Sequence, residues 1–468
     1  MPCGPSTNLS LPVSPADSPR APASLHVLIR NLKNIVKLIL VTGATGYIAS
    51  RLIPQLLDRG YTVRALARNP LRLQSRSWSD KIDIVHADVM EPATLAPALK
   101  DVHTAYYLVH NMSLGHGYTK HEVQAAHNFA SAAEEVGVEH IIYLGGLADE
   151  EQHIAPHMRS RIETGSTLRQ GKVPVTEFRA GVIAGSGSIS FEMIRFMTEL
   201  FPVIPAPVWI KNKSQPISTQ NVIDYLLSAL DNHNGQDRVF EIGGPHVTTY
   251  QELMLLYAQA RGHKRTFLLL PYVPAWFMAF GIGLTTPVPS PIARALVGGL
   301  SSDSVVINND AREIYPEVTL VDFDSATREA LTHLHPLKIE RVWESDFVSN
   351  LKHEGFFIAL QKIKVDASPE KIFNAIQKIA DQLRSQQFVV DTVEPNQLLL
   401  LKSQQKIPGA GWIEWQVNHS SNTTYLTQTI FFAPRGTAGF LYWYLLYPFF
   451  IIILHWLIKK IAHNSVVK

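Results

Sequence analysis

An α/β architecture is what the sequence predicts: a doubly wound parallel sheet carrying a substrate-side insertion, followed by a smaller α+β domain. Three observations carry it. An apolar strand runs straight into a glycine-rich turn and a helix at 36–59. Short apolar strands then alternate with helix-length segments as far as residue 181, and beyond residue 340 the rhythm changes to strand, helix and a series of strands of antiparallel type.

The first element reads VKLILVTGATGYIAS, Val36 to Ser50. Aliphatic residues from Val36 to Val41 suit a strand buried on both faces. Gly43 permits the tight turn, Gly46 lets the helix N-terminus approach a diphosphate, and small Ala49 packs helix against strand. Backbone N–H groups around Thr45, Gly46, Tyr47 and Ile48 then form an anion site on the helix dipole. The alternative is a purely structural turn. A helix to Arg59, Gly60 as its stop and a second strand at Tyr61 to Ala67 favour the dinucleotide reading. The second strand ends in Arg68, with Arg64 upstream and Arg72 downstream, where an acidic residue would meet a ribose 2′-hydroxyl. Guanidinium suits a 2′-phosphate, which favours NADP over NAD; a solvated strand end is the other reading of Arg68.

Further strands are expected at Ile82 to His86, Thr104 to Val109, His140 to Leu144 and Val173 to Arg179, with helices at Glu91 to Lys100 and His121 to Val136. Asp88 and Val89 fall where adenine would lie, Val109 and His110 near the ribose or nicotinamide, and Gly181 where backbone would face the nicotinamide amide. His110 reads equally as a satisfied structural histidine.

The stretches VTGATGYIA, VRALARNP, HADVMEP, YYLVH, IIYLGGLADE, SRIETGSTLR and FRAGVIAGSGS resemble the atypical short-chain dehydrogenase/reductases, the NAD(P)-binding Rossmann group with NmrA-like and extended members, over about residues 36 to 340. The resemblance implies a substrate-side insertion from Ser188, returning to the core at Pro216-Ile217 and a helix at Thr219 to Leu230. It also implies a general acid, for which most such enzymes use a Tyr four residues before a Lys. No tyrosine here has a lysine at that spacing. His157 and Arg161 stand at the expected place, as proton donor and nicotinamide-ribose ligand, against the alternative of an exposed polar helix face. The fifth strand ends in Gly145-Gly146, where active relatives place a Ser or Thr.

After the insertion a strand is expected at Phe240 to Gly244 and a helix at Thr249 to Arg261, capped by Thr248 or Thr249. The apolar stretch Phe267 to Leu284, interrupted by Pro271 and Pro274, reads as buried lid packing, with membrane contact as the alternative. Past a boundary at Pro336 to Ser345, strands are expected at Phe356 to Val365, Phe388 to Val393, Leu398 to Ser403, Gly411 to Val417 and Thr424 to Phe432. A helix over 368–383 follows the first of them. This is a helix-grip order. The tracts KIPGAGWIEWQV and IFFAPRGTAGFLYWYLLYPF resemble a START-like (SRPBCC-type) domain of unknown function, shortened between helix and strands.

Thr437 to Ile458 holds no Asp, Glu, Lys or Arg and has the length of a bilayer crossing. Three readings stand open: the long helix closing a START-like sheet, an in-plane anchor broken at Pro448, or a full span. The span would place Lys459, Lys460 and Lys468 opposite a cytosolic Rossmann domain, against the positive-inside preference.

The 468 residues allow two or three domains: a disordered leader at 1–35, Pro/Ser/Ala-rich to about residue 24 and with His26 to Lys37 reading either as part of it or as a short amphipathic helix, the nucleotide domain at 36–340 and the START-like domain at 341–468. A net charge of +2 without basic runs excludes a nucleic-acid footprint, and the single Cys3 excludes a disulfide framework and points to a reducing compartment. His153 and His157 share a helix face without a third metal ligand, and the pattern begun by His121-Glu122 fails at Ala125. The expected function is an NADPH-dependent oxidoreductase for an apolar, lipid- or isoprenoid-like substrate. It would be cytoplasmic and peripheral to or anchored at a membrane. The alternative is a non-catalytic NADP-binding redox sensor or assembly factor for a membrane complex.

Overall fold

Strand β1 (Leu38–Val41) lies at the centre of a seven-stranded parallel sheet, its Ile39, Leu40 and Val41 excluded from solvent because helices cover both faces. The computed structural model describes residue 1 and residues 37–74, 76–110, 118–148, 154–271, 273–286, 288, 290–300, 302–339, 348–384, 387–420 and 423–466; the expected leader and His153 lie outside them. The chain continues through α1 (Tyr47–Asp58), β2 (Thr62–Ala67), β3 (Asp83–His86), α2 (Pro92–Leu99), β4 (Thr104–Tyr107), α3 (Tyr118–Val136), β5 (His140–Gly146), α4 (Pro156–Arg169) and β6 (Val175–Ala180). Beyond these come α5 (Ile189–Leu200), α6 (Thr219–Asp231), β7 (Arg238–Ile242) and α7 (Tyr250–Arg261). The sheet order is β7-β6-β5-β4-β1-β2-β3, so strand order reverses between β1 and β4 and a crevice opens at their carboxyl ends. Helices α1 and α6 cover one face through Leu52, Ile53, Leu56, Val222 and Leu226, and α2, α3 and α4 the other through Leu95, Phe129 and Leu168.

Arg64 belongs to this scaffold and is not a 2′-phosphate ligand. Its Nε donates to Asp83 at 2.6 Å, and its Nη1 donates to the carbonyls of Ala98 and Lys100 at 2.9 and 2.8 Å, satisfying the C-terminal end of α2. The strand expected at 240–244 sits two residues earlier, because Gly244 turns away and its N–H bonds the Pro216 carbonyl.

Strand β8 (Thr266–Leu270) and helix α8 (Ala275–Thr285) form the stretch expected as buried lid packing. Only one side is buried. Ala279 and Ile282 pack toward α5 and α9 (Ser290–Gly299), whereas Trp276, Phe277, Phe280 and Leu284 stand exposed. Helix α10 (Phe323–Thr332) ends the region.

The C-terminal unit begins with β9 (Val348–His353), a strand not expected from the sequence, and continues through β10 (Phe356–Val365), α11 (Pro369–Arg384), β11 (Phe388–Glu394), β12 (Leu398–Ser403), β13 (Gly409–Ser420), β14 (Thr423–Pro434) and α12 (Gly436–Val466). The sheet is antiparallel, in the order β9-β10-β14-β13-β12-β11. Trp443 of α12 stacks on Phe357 and Phe432 with centroids 5.4 and 5.8 Å apart, and Gln428 Nε2 donates to the Leu454 carbonyl at 2.8 Å. The helix therefore closes the sheet and runs unbroken through Pro448, which lies on its exposed face. A full span would strip Phe440, Trp443, Leu454, Leu457, Ile458 and Ile461 from the sheet, each a burial of about 1.5–3 kcal/mol. The face turned away is apolar and exposed, with Leu441, Leu445, Phe449, Ile452, Ile453 and Trp456.

One carboxylate joins the two units. Glu199, at the end of α5, accepts from Tyr257 Oη at 3.0 Å, from His263 Nε2 at 2.8 Å, from Arg261, and from the Gly436 N–H that starts α12, at 2.7 Å. Burial opposes its ionisation, but the His263, Arg261 and Gly436 donors outweigh that and hold its pKa down to about 2. This stabilisation is complete above the ordinary value of 4.5 and is lost as pH falls through about 2. Glu199→Ala is expected to cost about 3 kcal/mol at neutral pH, as breaking a buried ion pair does. Thermal melts recorded against pH check it: the gap between wild type and variant should close as pH approaches 2, and a pH-independent gap would contradict the charge-based account.

Candidate functional site

The crevice at the β1/β4 switch point is a cleft of about 500 Å³, and the residues singled out from the sequence for cofactor and catalysis line it, Arg64 and Gly146 excepted. Its floor is set by Thr42, whose Oγ1 donates to the Tyr106 carbonyl at 3.0 Å and accepts from the Leu108 N–H at 2.9 Å. That pair fixes the end of β1 to the end of β4. Gly43 follows with φ of +61°, and a Cβ there would lie 2.5 Å from the Leu108 carbonyl oxygen, so no other residue fits. The Gly46 N–H bonds the Gly43 carbonyl at 2.7 Å, and α1 starts without a side-chain cap, leaving its first turn to face the cleft with Thr45, Tyr47 and Ile48. Tyr47 contributes backbone and ring but no acid. Its hydroxyl shares a 2.8 Å hydrogen bond with Thr219, Arg51 lies 3.9 Å over its ring, and burial pushes its pKa up to about 12.

At one end of the cleft Arg68, before the 70–73 turn, and Arg72, within it, are exposed; Asn69 holds the turn by accepting the Leu71 N–H at 3.1 Å. Asp88 is oriented by accepting from the Met90 N–H at 2.9 Å, beside buried Val89. Val109 and His110 lie midway. Burial, then the Arg161 charge, lowers the pKa of His110 well below the usual imidazole value, so it stays neutral.

At the other end Gly145, His157, Arg161 and Gly181 converge. His157 and Arg161 are one helical turn apart on α4, but they do not form the exposed polar face that was the alternative: His157 is buried, with a pKa lowered to about 4 by burial and then by Arg161. Gly299 of α9 closes over it, since a Cβ there would sit 2.8 Å from His157 Cε1. Gly146 leaves room for α4, where a Cβ would meet Met158 Cε at 2.7 Å, and Gly181 leaves room for Ser304 Oγ, 2.7 Å from such a Cβ. The glycines at the strand end let these side chains pack close to the backbone. Ile292, Leu296 and Leu300 form an apolar wall.

Sequence reasoning missed Tyr250, Met158, Ser188 to Ser190 and Ser302 to Ser304, all of which line the cleft. The Thr249 capping box located the start of α7 but nothing local said that this end faces the cleft. Burial raises the Tyr250 pKa to about 12. Among the described residues no three His, Cys, Asp or Glu side chains gather as a metal site.

The sequence pattern of the NmrA-like family matches residues 36–335. The chain is 25% identical over 287 residues to the chloroplastic divinyl chlorophyllide a 8-vinyl-reductase of Zea mays, covering 55% of this chain and 68% of that protein. It is 24% identical over 241 residues to the photosystem II assembly factor Ycf39 of Trieres chinensis, covering 50% and 72%. The fold is similar to that of the Escherichia coli NADPH-dependent quinone oxidoreductase solved with NADPH, at a TM-score of 0.51 and 19% identity, over 63% of this chain and 99% of that one. With a family match spanning the whole parallel-sheet unit and its insertion, the chain belongs to the NmrA-like family, within the NAD(P)-binding atypical short-chain dehydrogenase/reductases that its motifs resemble.

Proposed function

We propose that the cleft binds NADP(H) and that the protein is a reductase of an apolar conjugated carbonyl or enoyl acceptor. The glycine cradle at Gly43 and Gly46, which a Cβ would fill, suits a diphosphate, and the exposed Arg68 and Arg72 suit a 2′-phosphate. When bound, NADPH supplies a hydride. The observation that carries the substrate class is the apolar wall of Ile292, Leu296 and Leu300 in the same cleft as His157 and Arg161. Without a Tyr-Lys pair, Arg161 supplies positive charge where an enolate or alkoxide would develop, and neutral His157 donates a hydrogen bond rather than acting as an imidazolium acid. Quinone reduction by one similar fold and vinyl reduction by one relative concern substrates of that kind.

A second reading, a non-catalytic NADP sensor or assembly factor, draws on Gly145-Gly146 offering no hydroxyl and on the likeness to Ycf39. The C-terminal unit is read in either case as a helix-grip domain of START type whose interior is taken up by the Trp443 stack. The protein is read as cytoplasmic, the single cysteine suiting a reducing compartment.

Two experiments test this. Titration should give NADPH binding at least about tenfold tighter than NADH, with Arg68→Ala erasing the preference and Gly43→Ala abolishing binding of both; equal affinities in the wild type would contradict the 2′-phosphate assignment. Across a panel of quinones and enoyl lipids, His157→Gln should lower turnover about 10–100-fold at unchanged NADPH affinity. Because His157 titrates near 4, the wild-type rate should show no His157-dependent break between pH 5.5 and 8. No turnover on any acceptor despite intact NADPH binding would favour the second reading.

A further inference from the structure

Two exposed apolar helices, far apart in sequence, share one seat. On α5 the residues Met193, Phe196, Met197 and Leu200 form a single stripe at i, i+3, i+4 and i+7. Met193 and Met197 pack with α8, while Phe196 packs edge-on against Phe440 of α12 at 5.9 Å and the Leu200 carbonyl accepts from Thr437 Oγ1 at 2.7 Å. Helices α8 and α12 thus both rest on this one stripe of α5, each with an apolar face left exposed. Between them β8 leaves the start of α12, where Arg265 donates to the Thr198 and Glu199 carbonyls at 2.6 and 3.1 Å, and presents Leu268 and Leu269 to solvent.

The composition of this face says what covers it. Residues 271–302 and 435–468 contain no Asp or Glu; their only formal charges are Arg294, Arg435, Lys459, Lys460 and Lys468. Trp276, Phe277 and Phe280 on α8 and Leu445, Ile452 and Trp456 on α12 stand mostly exposed, and the apolar stretch of α12 is only 22% buried at a mean hydropathy of 1.8. An apolar centre with aromatic residues, the exposed cations Arg294, Arg435 and Lys459, and no Asp or Glu in either segment together complement an anionic lipid surface.

We propose that α8 and α12 together form an in-plane docking face for an anionic bilayer. The inner face of α12 stays on its sheet while the outer face enters the headgroup and acyl boundary. Helix α9, which packs on α8, also walls the apolar end of the cleft, so docking brings that end to the lipid surface. The supply of an apolar acceptor from the bilayer rests on the reductase reading, whereas the docking face does not.

Flotation of the full chain with vesicles tests it. The protein should float with phosphatidylcholine vesicles containing phosphatidylglycerol and bind about tenfold less to phosphatidylcholine alone or in high salt. The double variants Trp276→Glu/Phe280→Glu and Leu445→Glu/Ile452→Glu should each lower flotation about tenfold, with circular dichroism and NADPH affinity unchanged. An alkaline carbonate wash should release the bound protein. Absence of flotation overturns the proposal. So does retention through the wash, which marks a span, and so do variants that dissolve a protein complex on gel filtration while leaving flotation intact. Lost flotation with NADPH turnover intact sinks the docking face alone, and lost NADPH binding with flotation intact sinks the reductase reading alone.

Discussion

The close approach of the Gly43 backbone to the Leu108 carbonyl is the constraint on which the rest of the cleft depends. Thr42 fastens β1 to β4 with two hydrogen bonds from one hydroxyl, and that leaves space for backbone alone at the next position. The turn that follows carries positive φ and delivers an uncapped helix start to the switch point. An anion site made of peptide N–H groups needs no charged side chain, which explains why the floor of the cleft is small and apolar while its guanidinium groups sit at the rim.

Steric exclusion recurs at the opposite end. Gly146, Gly181 and Gly299 admit Met158, Ser304 and His157 respectively, so α4, the 302–304 segment and α9 close on the carboxyl ends of β5 and β6. His157 is desolvated by that closure and held neutral beside Arg161. A similar economy joins the C-terminal unit to the insertion. Glu199 gathers three side-chain donors and the first N–H of α12, and the turn between β9 and β10 sets Glu354 3.6 Å from Arg51, which itself covers the ring of Tyr47 in the cleft wall. The C-terminal unit is thereby in contact with the residues that shape the nucleotide site.

Much of this was legible in the sequence because it is local. The GATGY turn, Ala49, the Arg68 strand end and the Gly145 and Gly181 positions depend on spacing along single strand–helix junctions, and all of them meet in one cleft. What escaped was long-range. Arg64 was read as a rim cation, yet Asp83 and the carbonyls of α2 claim it, a pairing that no spacing reveals. Tyr250 reaches the cleft only because α7 folds back across the insertion. The stretch 267–284 was expected to be buried since it is apolar, but hydropathy cannot tell a core helix from one whose second face is left for another surface. Of the three open readings of 437–458, the long helix closing the sheet is the one seen, and the break at Pro448 is not: Pro448 lies on the exposed side and the helix continues.

The central claim is that pyridine nucleotide phosphates dock on the β1–α1 crossover. Hydrogen–deuterium exchange of the full chain, with and without NADPH, measures it at the level of the backbone. The account predicts slowed exchange at residues 43–49 and 108–110, with the β13–β14 hairpin of the C-terminal unit unchanged. Unaltered exchange at the crossover under saturating NADPH, or protection confined to other elements, would contradict it.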